Sequence, residues 1–192
     1  MTAGRPSDRK LKTFRRIQEE ALRLFLANGY DQTTVEEVAA AAGVSHMTVF
    51  RHFATKEALV VTDEFDVFML EVIRDRPAEE SPAEALINAF RDTLSHPATD
   101  LERALERMKL IASVPSLNGA MWGHWMTSHD IATEALAIRE GPDADIYRLR
   151  VLVSAILGAG LSAAFAWAAS DGTEDLNDLF DDALEALRDA FC

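Results

Sequence analysis

A chain of 192 residues with 48% apolar and 27% charged residues has the proportions of a soluble globular protein of one or two domains. Its one cysteine, Cys192, excludes an internal disulfide and a cysteine-based zinc site. The net charge of −13 is uneven: residues 1–56 hold nine Lys/Arg against six Asp/Glu, and residues 57–192 hold ten against twenty-six, which argues against a polyanion everywhere but on the first quarter.

The opening, MTAGRPSDRKLK, is basic without an apolar h-region, which points to a cytoplasmic chain. From there the apolar periodicity is helical nearly throughout. Nine glycines and six prolines are too thinly spread for a β-rich fold. Residues 8–28 put Phe14, Ile17, Ala21, Leu24 and Phe25 on one face, and Asn28-Gly29 ends that helix. Thr33 or Thr34 caps a short second helix, with Glu36 or Glu37 at the capping-box position and Val35, Val38, Ala39 and Ala42 inward. Gly43-Val44-Ser45 breaks it, and a third short helix turns Val49, Phe50 and Phe53 inward. Lys56 starts a longer helix with a seam at Ala58, Val61, Phe65, Phe68 and Val72.

Arg76-Pro77 to Ser81-Pro82 reads as a linker, closed by the capping box Ser81-Pro-Ala-Glu84. Leu86, Ala89, Phe90 and Leu94 make the next face, stopped by His96-Pro97, and Leu101, Leu105, Met108 and Ala112 another. Pro115 opens a helix to about Ile138, with Leu117, Met121, His124, Trp125, Ser128, Ile131 and Ala135 on one side. After the Gly141-Pro142 turn, residues 145–170 are long and largely uncharged, and Asp171-Gly172-Thr173 stops them. Leu176, Leu179, Phe180, Ala183, Leu184, Leu187 and Phe191 form the last stripe. The expected fold is all-α with about nine helices. A three-helix helix-turn-helix domain takes residues 1–56, and a helical ligand-binding and dimerisation domain takes residues 57–192.

The uncharged run 151–170 is long enough to span a bilayer, which makes a single-span membrane protein the alternative reading. Against it, the run is rich in Ala and Gly, holds Ser154, Ser162 and Ser170, and has no aromatic belt at both ends. Burial between protein layers is the simpler account, and no membrane partner is expected. Ser154, Gly158 and Ser162 recur every four residues, which permits close helix approach.

The informative segment is TTVEEVAAAAGVSHMTVFRHFATKEAL, residues 33–59. Two short helices joined by a Gly-containing turn make a helix-turn-helix. Ser45, His46, Thr48 and Arg51 suit base edges; Thr33 or Thr34, His52 and Lys56 suit phosphates. Met47 either touches a thymine methyl or fills the helix.

From Ile17, Ala21, Leu24, Phe25 and Gly29 through Thr34, Val38, Ala39, Ala42-Gly43-Val44-Ser45, Thr48, Phe50, His52-Phe53, Lys56 and Leu59, the chain resembles the TetR family of one-component regulators. It departs from the common pattern at Met47, where a small residue is usual, and at Phe50, where Tyr is usual. The resemblance implies an all-α homodimer whose last two long helices pair with the partner's. It also implies a ligand in the larger domain that changes the separation of the recognition helices, and most often repression; an activator or a ligand-independent regulator would share the same residues. It turns the stripe of Leu176, Phe180, Leu184 and Leu187, which alone fits core or interface, toward the dimer, together with Ser154, Gly158 and Ser162.

Met108, Met121, Trp122, Trp125, Phe165 and Trp167, with His124 and Ser128 as polar contacts, fit either core or the wall of a pocket for a small apolar or amphipathic effector. Relatives with a similar recognition helix that respond to acyl thioesters make an acyl chain one candidate. No metal pair, phosphate loop or nucleophile elbow is present in the sequence, so neither an enzyme nor a cofactor is expected. The expected partners are double-stranded DNA, a second copy and the effector.

Overall fold

Nine helices with described bounds, a further helical segment at 72–74, and no strand occur among the residues described by the computed structural model, 8–62, 72–95 and 100–190. The nine are α1 (Asp8–Asn28), α2 (Val35–Ala41), α3 (His46–His52), α4 (Ala58–Val61), α5 (Pro82–Leu94), α6 (Leu101–Ser113), α7 (Pro115–Glu140), α8 (Ile146–Ala169) and α9 (Leu176–Asp189). The architecture is all-α, with an N-terminal helix-turn-helix head and a C-terminal helical body. The expected positions Phe65, Phe68, His96, Pro97 and Phe191 lie outside the described residues.

Local chemistry sets most boundaries. Ser81 and Glu84 form the expected capping box, with Pro82 in the first turn of α5. Asp100, Asp145 and Asp175 accept backbone N–H groups at the starts of α6, α8 and α9. Asp171 (φ +56°) ends α8: its N–H bonds the Ala168 carbonyl and the next N–H bonds that of Trp167. The helix expected to run on from Lys56 is interrupted after Ala58–Val61, where Thr62 is extended, and residues 72–74 are again helical. The Gln18 amide, buried on α1, donates to the Thr62 carbonyl at 2.6 Å, so α1 takes a carbonyl that a continuing helix would use for itself.

Two apolar clusters make the core. The first joins Ile17, Ala21 and Phe25 of α1 to Val38, Val49, Phe53, Leu59 and Val60, and continues into Met108, Ile111 and Leu117 of the body. The second joins Leu86 and Ala89 of α5, Ala132 and Leu136 of α7, Val153 and Ile156 of α8, and Phe180 of α9. The α8 helix is long and apolar enough to cross a membrane by length and composition. It packs against α5, α6, α7 and α9, which accounts for its apolar buried face. Gly160 lets the Phe90 ring approach: a Cβ there would stand 3.1 Å from its Cζ.

Candidate nucleic-acid interface

Thr34, not Thr33, caps α2. Its hydroxyl accepts the Glu37 N–H at 3.2 Å, and the Glu37 carboxylate accepts the Thr34 N–H at 2.7 Å. That backbone N–H holds the Glu37 carboxyl below its ordinary pKa. Thr33 is buried and donates to the Gly29 carbonyl at 2.9 Å, so its hydroxyl faces the end of α1 rather than solvent.

The turn into α3 is a Schellman motif. Gly43 (φ +62°) donates to Ala40 and Val44 donates to Ala39. Nothing lies within 4 Å of a Cβ at Gly43, so the backbone angle, not space, requires glycine there. Ser45 then caps α3, accepting from Thr48 N at 3.2 Å and meeting the Thr48 hydroxyl at 2.9 Å.

Val49 and Phe53 are each 1% exposed, and Phe53 stacks on Phe14 at 4.6 Å. Phe50, expected inward, is 40% exposed. A helix turns about 100° per residue, so in two turns Val49 and Phe53 share the core face and Phe50 leaves it. The outward face of α3 is therefore His46, Met47 (76% exposed), Phe50 and Arg51. Arg51 pairs with no acid among the described residues. His46 Nε2 lies 3.1 Å from a Glu36 carboxylate oxygen, and its ring meets Phe50 edge-on at 4.5 Å. Glu36 thus brings an acid to a face whose own helix carries none.

His52 is half-buried beside Phe14. Burial, then the charges of Lys10 and Arg51, holds its imidazole below the ordinary pKa. Lys10, at the start of α1, carries no signal in the sequence that ties it to this surface; only the folded approach of α1 to α3 brings its charge near His52. Lys56 turns back into the chain, donating to the Tyr30 carbonyl at 2.6 Å.

The body residues separate into different places. Met108 is buried in the first cluster, with Met121 and Phe165 packed against it. Trp167 is buried in the second, with Trp125 against it. Trp122 is 60% exposed. Ser128 is buried and donates to the His124 carbonyl. The buried indole N–H of Trp125 has no hydrogen-bond partner among the described residues. A cleft of about 800 Å³ lies elsewhere, at the far end of α7, lined by Arg74, Arg76, Ile138 and Arg139 among others.

On α8, Ser154 and Ser162 are exposed and Gly158 is partly exposed. Leu176 and Phe180 are buried in the chain's own core, where Phe180 meets Phe90 at 4.3 Å. Leu184 and Leu187 are half-buried on the same cluster.

Residues 80–192 match the family described as the MftR C-terminal domain, and residues 17–62 match bacterial regulatory proteins of the tetR family. The HTH-type transcriptional regulator TcmR of Streptomyces glaucescens is 34% identical, across 94% of this chain and 85% of its own length. The HTH-type transcriptional repressor AcnR of Corynebacterium diphtheriae is 26% identical, across 90% of this chain and 91% of its own. Among solved structures, Thermus thermophilus FadR, a TetR-family repressor in complex with lauroyl-CoA, superposes with a TM-score of 0.55 at 24% identity, covering 93% of this chain and 95% of that one. At that identity the likeness is one of fold.

Proposed function

Because the chain belongs to the TetR family of bacterial regulatory proteins, we propose that it is a ligand-responsive repressor. In this reading it binds a near-palindromic operator as a homodimer and is released by a small apolar or amphipathic effector. The carrying observation is the outward face of α3, where Arg51 pairs with no acid among the described residues and stands beside His46, Met47 and Phe50. Arg51 supplies a guanidinium fork suited to guanine, and His46 and Thr48 supply hydrogen bonds to neighbouring base edges. Thr34, Ser45 and His52 hold phosphates at the edge of the contact. Residues 1–56 serve as the reading head and residues 57–192 as the effector and dimer unit.

The dimer reading is supported by α8. Tyr147, Val151, Ser154 and Ser162, all exposed, with the partly exposed Gly158 between them, form an uncharged stripe along the helix. Paired with the same stripe of a second copy, flanked by Leu184 and Leu187, it would make a two-fold interface. Leu176 and Phe180 serve this indirectly, by seating α9 on α8. Two heads so joined would enter successive major grooves about 34–36 Å apart.

For the effector, Met108, Met121, Phe165 and Trp125 offer apolar lining, and the Trp125 N–H offers a donor to a carbonyl. The lauroyl-CoA bound by the Thermus protein supports an acyl-chain-containing molecule. The path to the head is short: α4 packs against α1 on one side and α6 and α7 on the other. A coupling of about 1–3 kcal/mol through it would lower DNA affinity roughly 5- to 150-fold.

The test is a binding assay of the full chain with fragments of its own promoter region. Wild type should shift one fragment in a salt-sensitive manner, and Arg51→Ala should lose selection of that fragment while keeping the oligomer. Wild-type selectivity in Arg51→Ala would remove Arg51 from the readout. No salt-sensitive shift with any fragment would overturn the function.

A further inference from the structure

The head carries an apolar pair where a polar surface would be expected. Met47 and Phe50 are 76% and 40% exposed, although both sit on the helix that faces DNA in the reading above. They are three residues apart, so they share one face, about one turn from each other. Phe50 is held edge-on by the His46 ring at 4.5 Å, and that ring is in turn anchored 3.1 Å from Glu36. Met47 has no such brace and keeps its flexible thioether free to fit.

An apolar side chain pressed into the major groove covers hydrogen-bonding atoms at nearly every base, and covering them unpaired costs free energy. The one apolar group normally displayed there is the C5-methyl of thymine. Resting on the DNA-binding reading, we infer that Met47 and Phe50 read thymine methyl groups, and so impose an A·T requirement within each half-site next to the bases taken by Arg51. Three residues of helix rise about 4.5 Å. That is close to the ~3.4 Å between successive bases on one strand, so the two side chains address neighbouring steps.

The full chain would first be used to enrich duplexes from a random library. The tightest-binding duplex would then be resynthesised with deoxyuridine in place of thymidine, one position at a time. This removes the methyl and leaves base pairing alone. We expect about a fourfold loss of affinity at one or two positions in each half-site, the ~0.8 kcal/mol of one buried methyl. Met47→Ala and Phe50→Ala should each erase the deoxyuridine penalty at one position and leave the penalty at the other. Both residues are exposed, so circular dichroism should match wild type, and the deoxyuridine series needs no variant at all. Equal affinity for the thymidine and deoxyuridine forms at every position overturns the inference while the DNA-binding reading stands. Tightening only when a cytosine is replaced by 5-methylcytosine overturns thymine as the group read. A protein that enriches no duplex overturns the DNA-binding reading and this inference with it.

Discussion

The ammonium of Lys56 lies 2.6 Å from the carbonyl oxygen of Tyr30 and 4.3 Å from the centroid of the same residue's ring. It also stands 5.7 Å from the Phe25 ring, and Phe25 and Tyr30 pack against each other at 5.0 Å. One charge therefore ties the segment after α3 to the end of α1, where Gly29 (φ +93°) turns the chain. Lys56→Met keeps the stem and removes the charge. It should cost about 1–2 kcal/mol, or roughly 2–8 °C in melting temperature for a chain of this size. The salt dependence of DNA binding should stay as in wild type. A slope reduced by about one unit would instead give Lys56 a phosphate contact.

His52 should make DNA binding by the head pH-dependent. In the free chain, burial and the charges of Lys10 and Arg51 depress its pKa. A phosphate placed against the ring favours the charged form and raises it. The complex then binds more protons than the free protein, so affinity rises as pH falls through the imidazole range. Measured from about pH 7.5 to about pH 5.5, wild type should tighten, and His52→Asn should show a smaller change. Equal pH profiles for the two would take His52 away from the phosphate.

What was legible in the sequence is what is written locally. The Ser81–Glu84 box, Gly43 and the glycine after Asn28 each depend on residues close by in the chain, so pattern alone finds them. The same holds for the helix-turn-helix, whose turn, caps and polarity are contiguous. Lys56 and Thr33 were not legible, because their partners, Tyr30 and Gly29, are chosen by how α1 meets the turn that follows it. Glu36 reaches His46 only across the α2–α3 turn. Phe50 reads as core because an aromatic in a short helix looks buried until its angle to Val49 and Phe53 is counted, and the folded chain leaves it 40% exposed. The α9 stripe shows the general limit: its periodicity says that one face is covered, not whether its own chain or a partner covers it. The effector residues were harder still, since apolar side chains of α7 lie on both its buried and its open faces.

Acid stability should be set in part by Glu80. Its carboxylate takes the Arg76 guanidinium in two places, with Arg76 Nη1 reaching on to Asp92, and accepts Asn88 Nδ2 at 3.0 Å. Arg139 donates to the Glu80 and Pro77 carbonyls at 2.6 and 2.5 Å, tying this turn to the end of α7. The hydrogen bond from Arg76 is the main cause that brings the Glu80 pKa from 4.5 down to about 2. A depressed carboxyl contributes stability that is complete above its unfolded value and lost as pH falls toward its folded one. Glu80→Gln resembles the protonated side chain. The gap in melting temperature between wild type and Glu80→Gln should be constant near neutrality and close between about 4.5 and about 2. A gap independent of pH would mean that shape, not charge, is what Glu80 contributes.

The α8 stripe gives the most direct test of assembly. Tyr147 and Val151 are 77% and 53% exposed, large apolar side chains on one open face with Ser154, Gly158 and Ser162 further along it. A Cβ at Gly158 would meet nothing within 4 Å in the single chain. The face is thus both uncharged and low in relief, which suits close helix contact. Ser162→Arg adds a charge at an exposed site and swaps in a better helix former, so the subunit itself should fold as before. Buried against a second copy, the guanidinium would be desolvated and unpaired, and two of them would approach across the two-fold axis. Wild type should sediment as a dimer and Ser162→Arg as a monomer, with DNA affinity lost because two half-sites are no longer bound as one. Glu134→Arg, at an exposed site on α7, is the control and should leave the dimer intact. A dimer of undiminished stability in Ser162→Arg would move the interface off α8.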